Sequence, residues 1–183
     1  MKKIENYEEV EELKDFAVLT IGPKNCVITN VIDEVEKQYL KVEFDIVGGE
    51  LDGYYADLFK KFGGKYRGSI IKSYKPTAAS FFKGFITSVE ESNKGFTWDW
   101  NEKTLVGKKI VVNFREEEYI NKENMRATVI KPFEFRSFEA LRNGKINLAP
   151  AILTLEKQHK TAPEGEEENT TQLTKEEEEL LPF

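Results

Sequence analysis

Residues 39–47 read Tyr-Leu-Lys-Val-Glu-Phe-Asp-Ile-Val, and in them Leu40, Val42, Phe44 and Ile46 alternate with Lys41, Glu43 and Asp45. A period of two puts the apolar side chains on one side of an extended chain and the charges on the other, which predicts a strand with one buried face. The texture on both sides is similar. Cys26 to Val35 is rich in β-branched residues, and Gly48-Gly49-Glu50-Leu51-Asp52-Gly53 is a turn cluster expected to lead into a second hairpin arm, Tyr54 to Phe59. Gly68 to Lys75, Lys108 to Arg115 and Met125 to Phe135 complete the expected strands, with Phe96 to Trp100 as a further extended stretch.

One interior helix interrupts this pattern. Pro76-Thr77 opens it, Phe81, Phe82, Phe85, Ile86 and Val89 form an apolar stripe at helical spacing, and Asn93-Lys94-Gly95 closes it. The spacing assigns Phe81, Phe82 and Phe85 to the core. Strands, a helix and two more strands give the order of a small β-barrel closed by a helix, so the expected class is mainly β and OB-fold-like, a five-stranded Greek-key barrel. Upstream, Asn6 and Glu9 have capping-box spacing for a short helix ending near Asp15, Phe16 to Ile21 suits a strand, and Gly22-Pro23-Lys24-Asn25 reads as a turn. Downstream, Ser137 to Asn143 suits a short helix and Ala151 to Leu155 is apolar enough to pack. The expected organisation is an N-terminal helix and extension over 1–23, one domain over 24–155, and a disordered acidic tail over 156–183.

The 183 residues carry 27 basic and 33 acidic side chains, a formal net charge of −6 that argues at first against a polyanionic ligand. The charge is unevenly spread. Residues 1–160 hold 26 basic and 25 acidic groups, whereas residues 161–183 hold 1 and 8. Cys26 is the only cysteine and His159 the only histidine, so the chain offers neither an intrachain disulfide nor a Cys/His zinc cluster, and no histidine-based catalytic system within the folded part. Gly63-Gly64-Lys65 lacks the spacing of a phosphate loop, and consecutive Glu116, Glu117 and Glu118 scatter along a strand instead of converging on a metal. No enzymatic activity and no cofactor are expected. No apolar run approaches the about 18 residues that span a bilayer, and the N-terminus lacks the apolar stretch of a secretory signal, which suggests a cytoplasmic protein.

The segment from Leu58 to Val89 holds seven basic residues and no acidic one, interleaved with rings. Single-stranded nucleic acid needs cations for its phosphates and flat apolar faces for its bases. The candidates in and near this segment are Tyr55, Lys60, Lys61, Lys65, Tyr66, Arg67, Lys72, Tyr74 and Lys75. Trp98 and Trp100 flank Asp99 and point to one side of an extended chain, where they serve as a stacking platform or as a core plug. Lys108 and Lys109 could reach phosphate from the next strand.

The tail ends in Glu178-Glu179-Leu180-Leu181-Pro182-Phe183, after two further glutamates. Solubility gives no reason for an apolar tip on an acidic run, and such a tip can dock in a partner's pocket while the glutamates steer the encounter. This end resembles the acidic tips of bacterial and phage single-stranded DNA-binding proteins, departing from them in its glutamates and Leu-Leu. Tyr39 to Ile46, Gly53 to Phe59, Phe82 to Phe96 and Gly107-Lys108-Lys109 resemble a family of small phage replication-module proteins from Gram-positive hosts, over roughly residues 26 to 135. The resemblance implies an OB-fold single-stranded DNA-binding protein of the infected bacterial host, working in DNA replication and recombination; its motif names no DNA-contacting residue. The expectation is a non-sequence-specific binder of single-stranded DNA that recruits replication or recombination enzymes through its tip. The alternative is an acidic phage factor that binds or inhibits a host enzyme. Self-association is left open, and no membrane contact is expected.

Overall fold

In the computed structural model, residues 17–121 and 123–148 are described. The expected N-terminal helix, the apolar stretch 151–155 and the acidic tail with its tip Glu178 to Phe183 lie outside the described residues.

Five strands form one antiparallel sheet in the order β3-β2-β1-β4-β5. They are β1 (Gly22–Glu34), β2 (Tyr39–Ile46), β3 (Gly68–Ser73), β4 (Lys109–Ile120) and β5 (Arg126–Arg136). β1 is central and serves two neighbours, pairing with β2 over Cys26–Glu34 and with β4 over Gly22–Val27, and its register against β2 shifts between Ile28 and Asn30. The expected turn at Gly22 to Asn25 is instead the start of β1, with Pro23 opposite Asn113, while residues 17–20 form no strand.

β3 and β5 are the two edges. No backbone ladder joins them, so the sheet is not closed into a barrel. Side chains fill the seam instead: the Lys72 ammonium of β3 lies over the Phe135 ring of β5, and Phe135 meets Phe44 edge-on at 5.8 Å. α2 (Ala79–Ser92) connects β3 to β4 and packs on β3, β4 and β5. It buries Phe82, Phe85, Ile86 and Val89 against Phe44, Leu105, Ile110 and Phe114. Phe81, assigned to the core by its spacing, is 77 % exposed, because it sits one position off the stripe that Phe82, Phe85 and Val89 define. A short α3 (Phe138–Arg142) follows β5, capped by Ser137, whose hydroxyl accepts from the Ala140 N–H at 3.1 Å.

Tyr54 to Phe59 is not a hairpin strand but the body of α1 (Tyr54–Lys61). The reason lies in Asp45. Its carboxylate accepts from the N–H groups of Tyr55 (2.9 Å), Ala56 (2.9 Å) and Ile46 (2.8 Å), so a residue of β2 satisfies donors of the first helical turn from outside the helix. Gly53 supplies the left-handed residue before the helix, and Lys60 and Lys61 lie in its last turn, where cations favour the dipole.

Asp45 also corrects the simple reading of β2. The alternating charges were expected to face water, yet Glu43 is only 4 % exposed. Asn30 of β1 donates to Glu43 at 3.2 Å, and Lys41 and Arg67 each lie 3.6 Å from its carboxylate, so the second face of β2 is covered by polar partners.

Candidate nucleic-acid interface

The expected interface residues fall into separate groups. The first is α1 and the loop after it. Lys60, Lys61, Lys65 and Arg67 are exposed there, Phe62 and Tyr66 meet edge-on at 5.2 Å, and the Lys61 ammonium lies 5.8 Å from the Phe62 centroid. The Arg67 guanidinium stacks 3.8 Å over Phe59 and is drawn to Glu43, so it is partly neutralised. Tyr55 does not belong to this surface. Its ring packs edge-on against Phe44 at 5.6 Å and Tyr54 at 5.2 Å, and burial pushes its hydroxyl far above the usual tyrosine range. It is a packing residue.

Lys72 is also placed differently from its neighbours in sequence. In the register of β2 and β3, Phe44, Val42 and Leu40 stand opposite Gly68, Ile70 and Lys72, so Lys72 shares the core-facing side. Its stem is buried and its head emerges over Phe135 at 5.3 Å. Burial holds this ammonium below the ordinary lysine range, against the pull of Glu134.

The second group surrounds a cavity of about 250 Å³ at one end of the sheet, lined by Asp33, Leu40, Tyr74, Phe82, Trp98, Trp100 and Glu102. Tyr74 leaves the end of β3, meets Phe82 at 6.0 Å and donates its hydroxyl to Asp33 at 2.8 Å. Trp98 packs on Phe82 at 5.4 Å, and Trp100 lies on Trp98 at 4.7 Å with an interplanar angle of 36°. Trp98 is half-buried while Trp100 is 79 % exposed. The two tryptophans therefore form one stack with an inner, half-buried ring and an outer, exposed one. The stretch that carries them is not a strand but a loop leading into a 3-10 turn at Glu102–Leu105.

Trp100 has φ of 66°, in the left-handed region that a bulky side chain seldom occupies. Local bonds hold it there. The Asp99 carboxylate accepts from the Asn101 N–H and the Thr104 hydroxyl, both at 3.2 Å, and the Asn101 side chain accepts from the Lys103 N–H at 3.1 Å. The chain matches no protein-family model and no curated protein.

Lys108 and Lys109 stand apart at the start of β4. Lys108 covers the Phe96 ring at 4.4 Å, and the Asn93 side chain clamps the backbone of Lys109 through both its N–H and its carbonyl. Lys75 is exposed beside Tyr74. A larger open hollow of about 620 Å³ lies between the start of β1 and the loop after β2, but Lys24 is its one cation and no ring lines it, so it lacks what a single strand requires.

Sequence reasoning missed Asp33 and Glu102 at the aromatic cavity. Nothing local marks either one; only the meeting of the β1 end with the loop after α2 brings them beside the rings. Among the described residues no group of three or more His, Cys, Asp or Glu is placed to hold a metal ion, and no helix is long and apolar enough to cross a membrane.

Proposed function

We propose that this protein binds single-stranded DNA without reading an extended sequence, as a non-catalytic component of a phage replication or recombination module. The observation that carries the reading is Trp100, whose ring is 79 % exposed although the half-buried Trp98 ring lies against its other side. A hydrocarbon face kept in water by a strained backbone costs stability, and stacking an unpaired base recovers it. The exposed cations Lys60, Lys61 and Lys65 on one side and Lys75 beside the rings supply the charge that phosphates require. Arg67 adds to them only in part, and Lys108 and Lys109 are a further reach of the same sign.

The finer fold is proposed on the same footing. A central β1 shared by two halves, the order β3-β2-β1-β4-β5 and a helix between β3 and β4 match a partly open OB-fold barrel whose last seam is filled by side chains. The acidic tail, with Glu178, Glu179 and Leu180 to Phe183, is assigned to recruiting partner enzymes.

A titration of labelled oligo(dT) at several salt concentrations tests the reading. With about three or four phosphates engaged, log affinity falls against log salt with a slope near −2 to −3. Binding that ignores salt would sink the proposal. Deleting residues 161–183 preserves or strengthens binding, because the anionic segment competes with DNA; loss of all activity on that deletion points instead to a protein-binding factor.

A further inference from the structure

The cavity beside Trp100 has an uneven chemistry. Its walls are the rings of Tyr74, Phe82, Trp98 and Trp100 with Leu40, and its polar groups are the carboxylates of Asp33 and Glu102, with no cation in the lining. Phosphate is excluded by that charge. The Tyr74 hydroxyl is given to Asp33, and the Trp98 Nε1 is buried, so neither of these rings turns a free donor toward the opening. Glu102 has no hydrogen-bond or ion-pair partner among the described residues. The site is thus apolar and flat-walled, with two carboxylates as acceptors and, besides the indole N–H of Trp100, no side-chain donor of its lining left to a ligand.

The geometry points to a pocket for one nucleobase carrying an exocyclic amino group, preferred over thymine or uracil. This deepens the single-strand reading above and rests on it. A base stacks against the aromatic wall, and the amino group of cytosine, adenine or guanine donates to the carboxylates. Thymine and uracil present their one ring N–H between two carbonyl oxygens, which a carboxylate repels. Lys75 and Lys103 are exposed and each follows a lining residue, Tyr74 and Glu102, which keeps a cation within one residue of the cavity on two sides for the phosphates that flank an inserted base. That placement favours a base on a strand over a free organic cation, which the rings and carboxylates would otherwise suit.

The test compares oligo(dT) carrying one deoxycytidine with the same oligonucleotide carrying one deoxyuridine, by competition anisotropy on the full chain. The two differ at that position in the amino group and the ring proton, and freedom of register lets the one substituted base find the cavity. Cytidine is expected to bind about five- to a hundredfold tighter. The ratio falls toward one in Glu102→Gln, where no bond of the fold is removed, and in Asp33→Asn. Equal affinities in the wild type, with binding otherwise intact, overturn the base preference and leave the single-strand function standing. Failure to bind either oligonucleotide overturns that function itself. Tryptophan emission that responds to free arginine but not to deoxycytidine monophosphate reassigns the cavity to a cationic side chain and also overturns the inference.

Discussion

The ammonium nitrogen of Lys72 stands 5.3 Å from the centroid of the Phe135 ring, and the two residues belong to opposite edges of the sheet. A charge on the core-facing side of β3 closes by cation–π contact a seam that no backbone ladder closes. The arrangement costs desolvation of the ammonium, which is why its proton is held less tightly than usual.

Lys72→Met keeps the stem and removes the charge, so its unfolding midpoint at neutral pH is expected to equal or exceed that of the wild type. The pH dependence follows from the lowered lysine pKa. Below it both states are charged and the full penalty is present; between it and the ordinary 10.5 the unfolded chain binds more protons, so wild-type stability rises with pH. Urea unfolding of both proteins across that interval shows the wild type gaining on the variant, and a wild type that loses ground would refute the burial of this charge.

Asp45→Ala removes an acceptor from three backbone N–H groups at once. A loss of about 2–3 kcal/mol is expected, since the bonds are charge-assisted and the site is buried. α1 carries Lys60 and Lys61, so salt-sensitive oligonucleotide affinity should fall with it. Denaturation by circular dichroism beside a binding titration measures both effects, and an unchanged α1 would show that the helix needs no outside cap.

Gly68→Ala tests the contact between α1 and β3. A Cβ at this position would lie 2.6 Å from the Tyr55 ring and 3.0 Å from Phe44. Neither ring can retreat without moving the core, so the expected cost is about 1–3 kcal/mol. A thermal midpoint equal to the wild type would mean that Tyr55 is far less fixed than its packing indicates.

Trp100→Ala and Trp98→Ala separate platform from plug. The first is expected to weaken oligonucleotide binding by about 1–3 kcal/mol while stability stays within about 0.5 kcal/mol. The second should cost about 2–4 kcal/mol of stability, because Trp98 fills space against Phe82. Paired titration and melting curves distinguish them; equal stability losses would deny the division of labour.

Cys26 is 1 % exposed, and burial pushes its thiol up to about 12. The thiolate is the reactive form, so alkylation of the native protein near pH 8 should be slow and should accelerate only as denaturant unfolds β1. Rapid labelling without denaturant would place this strand in an open conformation.

The strands at 39–46, 68–73 and 126–136 were legible because side-chain alternation and turn residues are local signals, and the interior helix was legible from its stripe. α1 was not, since a run of tyrosine and phenylalanine favours a strand until Asp45, ten residues upstream of Tyr55, takes up the helix donors. The candidate site was legible in its chemistry more than in its membership. Lys60, Lys61, Lys65 and Lys75 are exposed, whereas the stem of Lys72 turns inward through strand register and Tyr55 through the helix that Asp45 anchors. Asp33 and Glu102 lie far apart in the chain, and only the fold brings both to one cavity.

β1 stops pairing with β4 at Phe114, yet β4 and β5 continue together from Arg115 opposite Lys131 to Ile120 opposite Arg126. Beyond that point no third described strand flanks the ribbon, and a two-stranded ribbon is marginally stable alone. One continuous strand therefore spans two mechanical regimes. Amides at Val111 and Val112 should exchange with solvent only when the whole molecule unfolds, and those near Tyr119 within ordinary local fluctuation. On that expectation only the tip of the ribbon, beyond the core contact of Ile130, yields against a neighbouring surface, and the sheet that holds the aromatic cavity is left undisturbed.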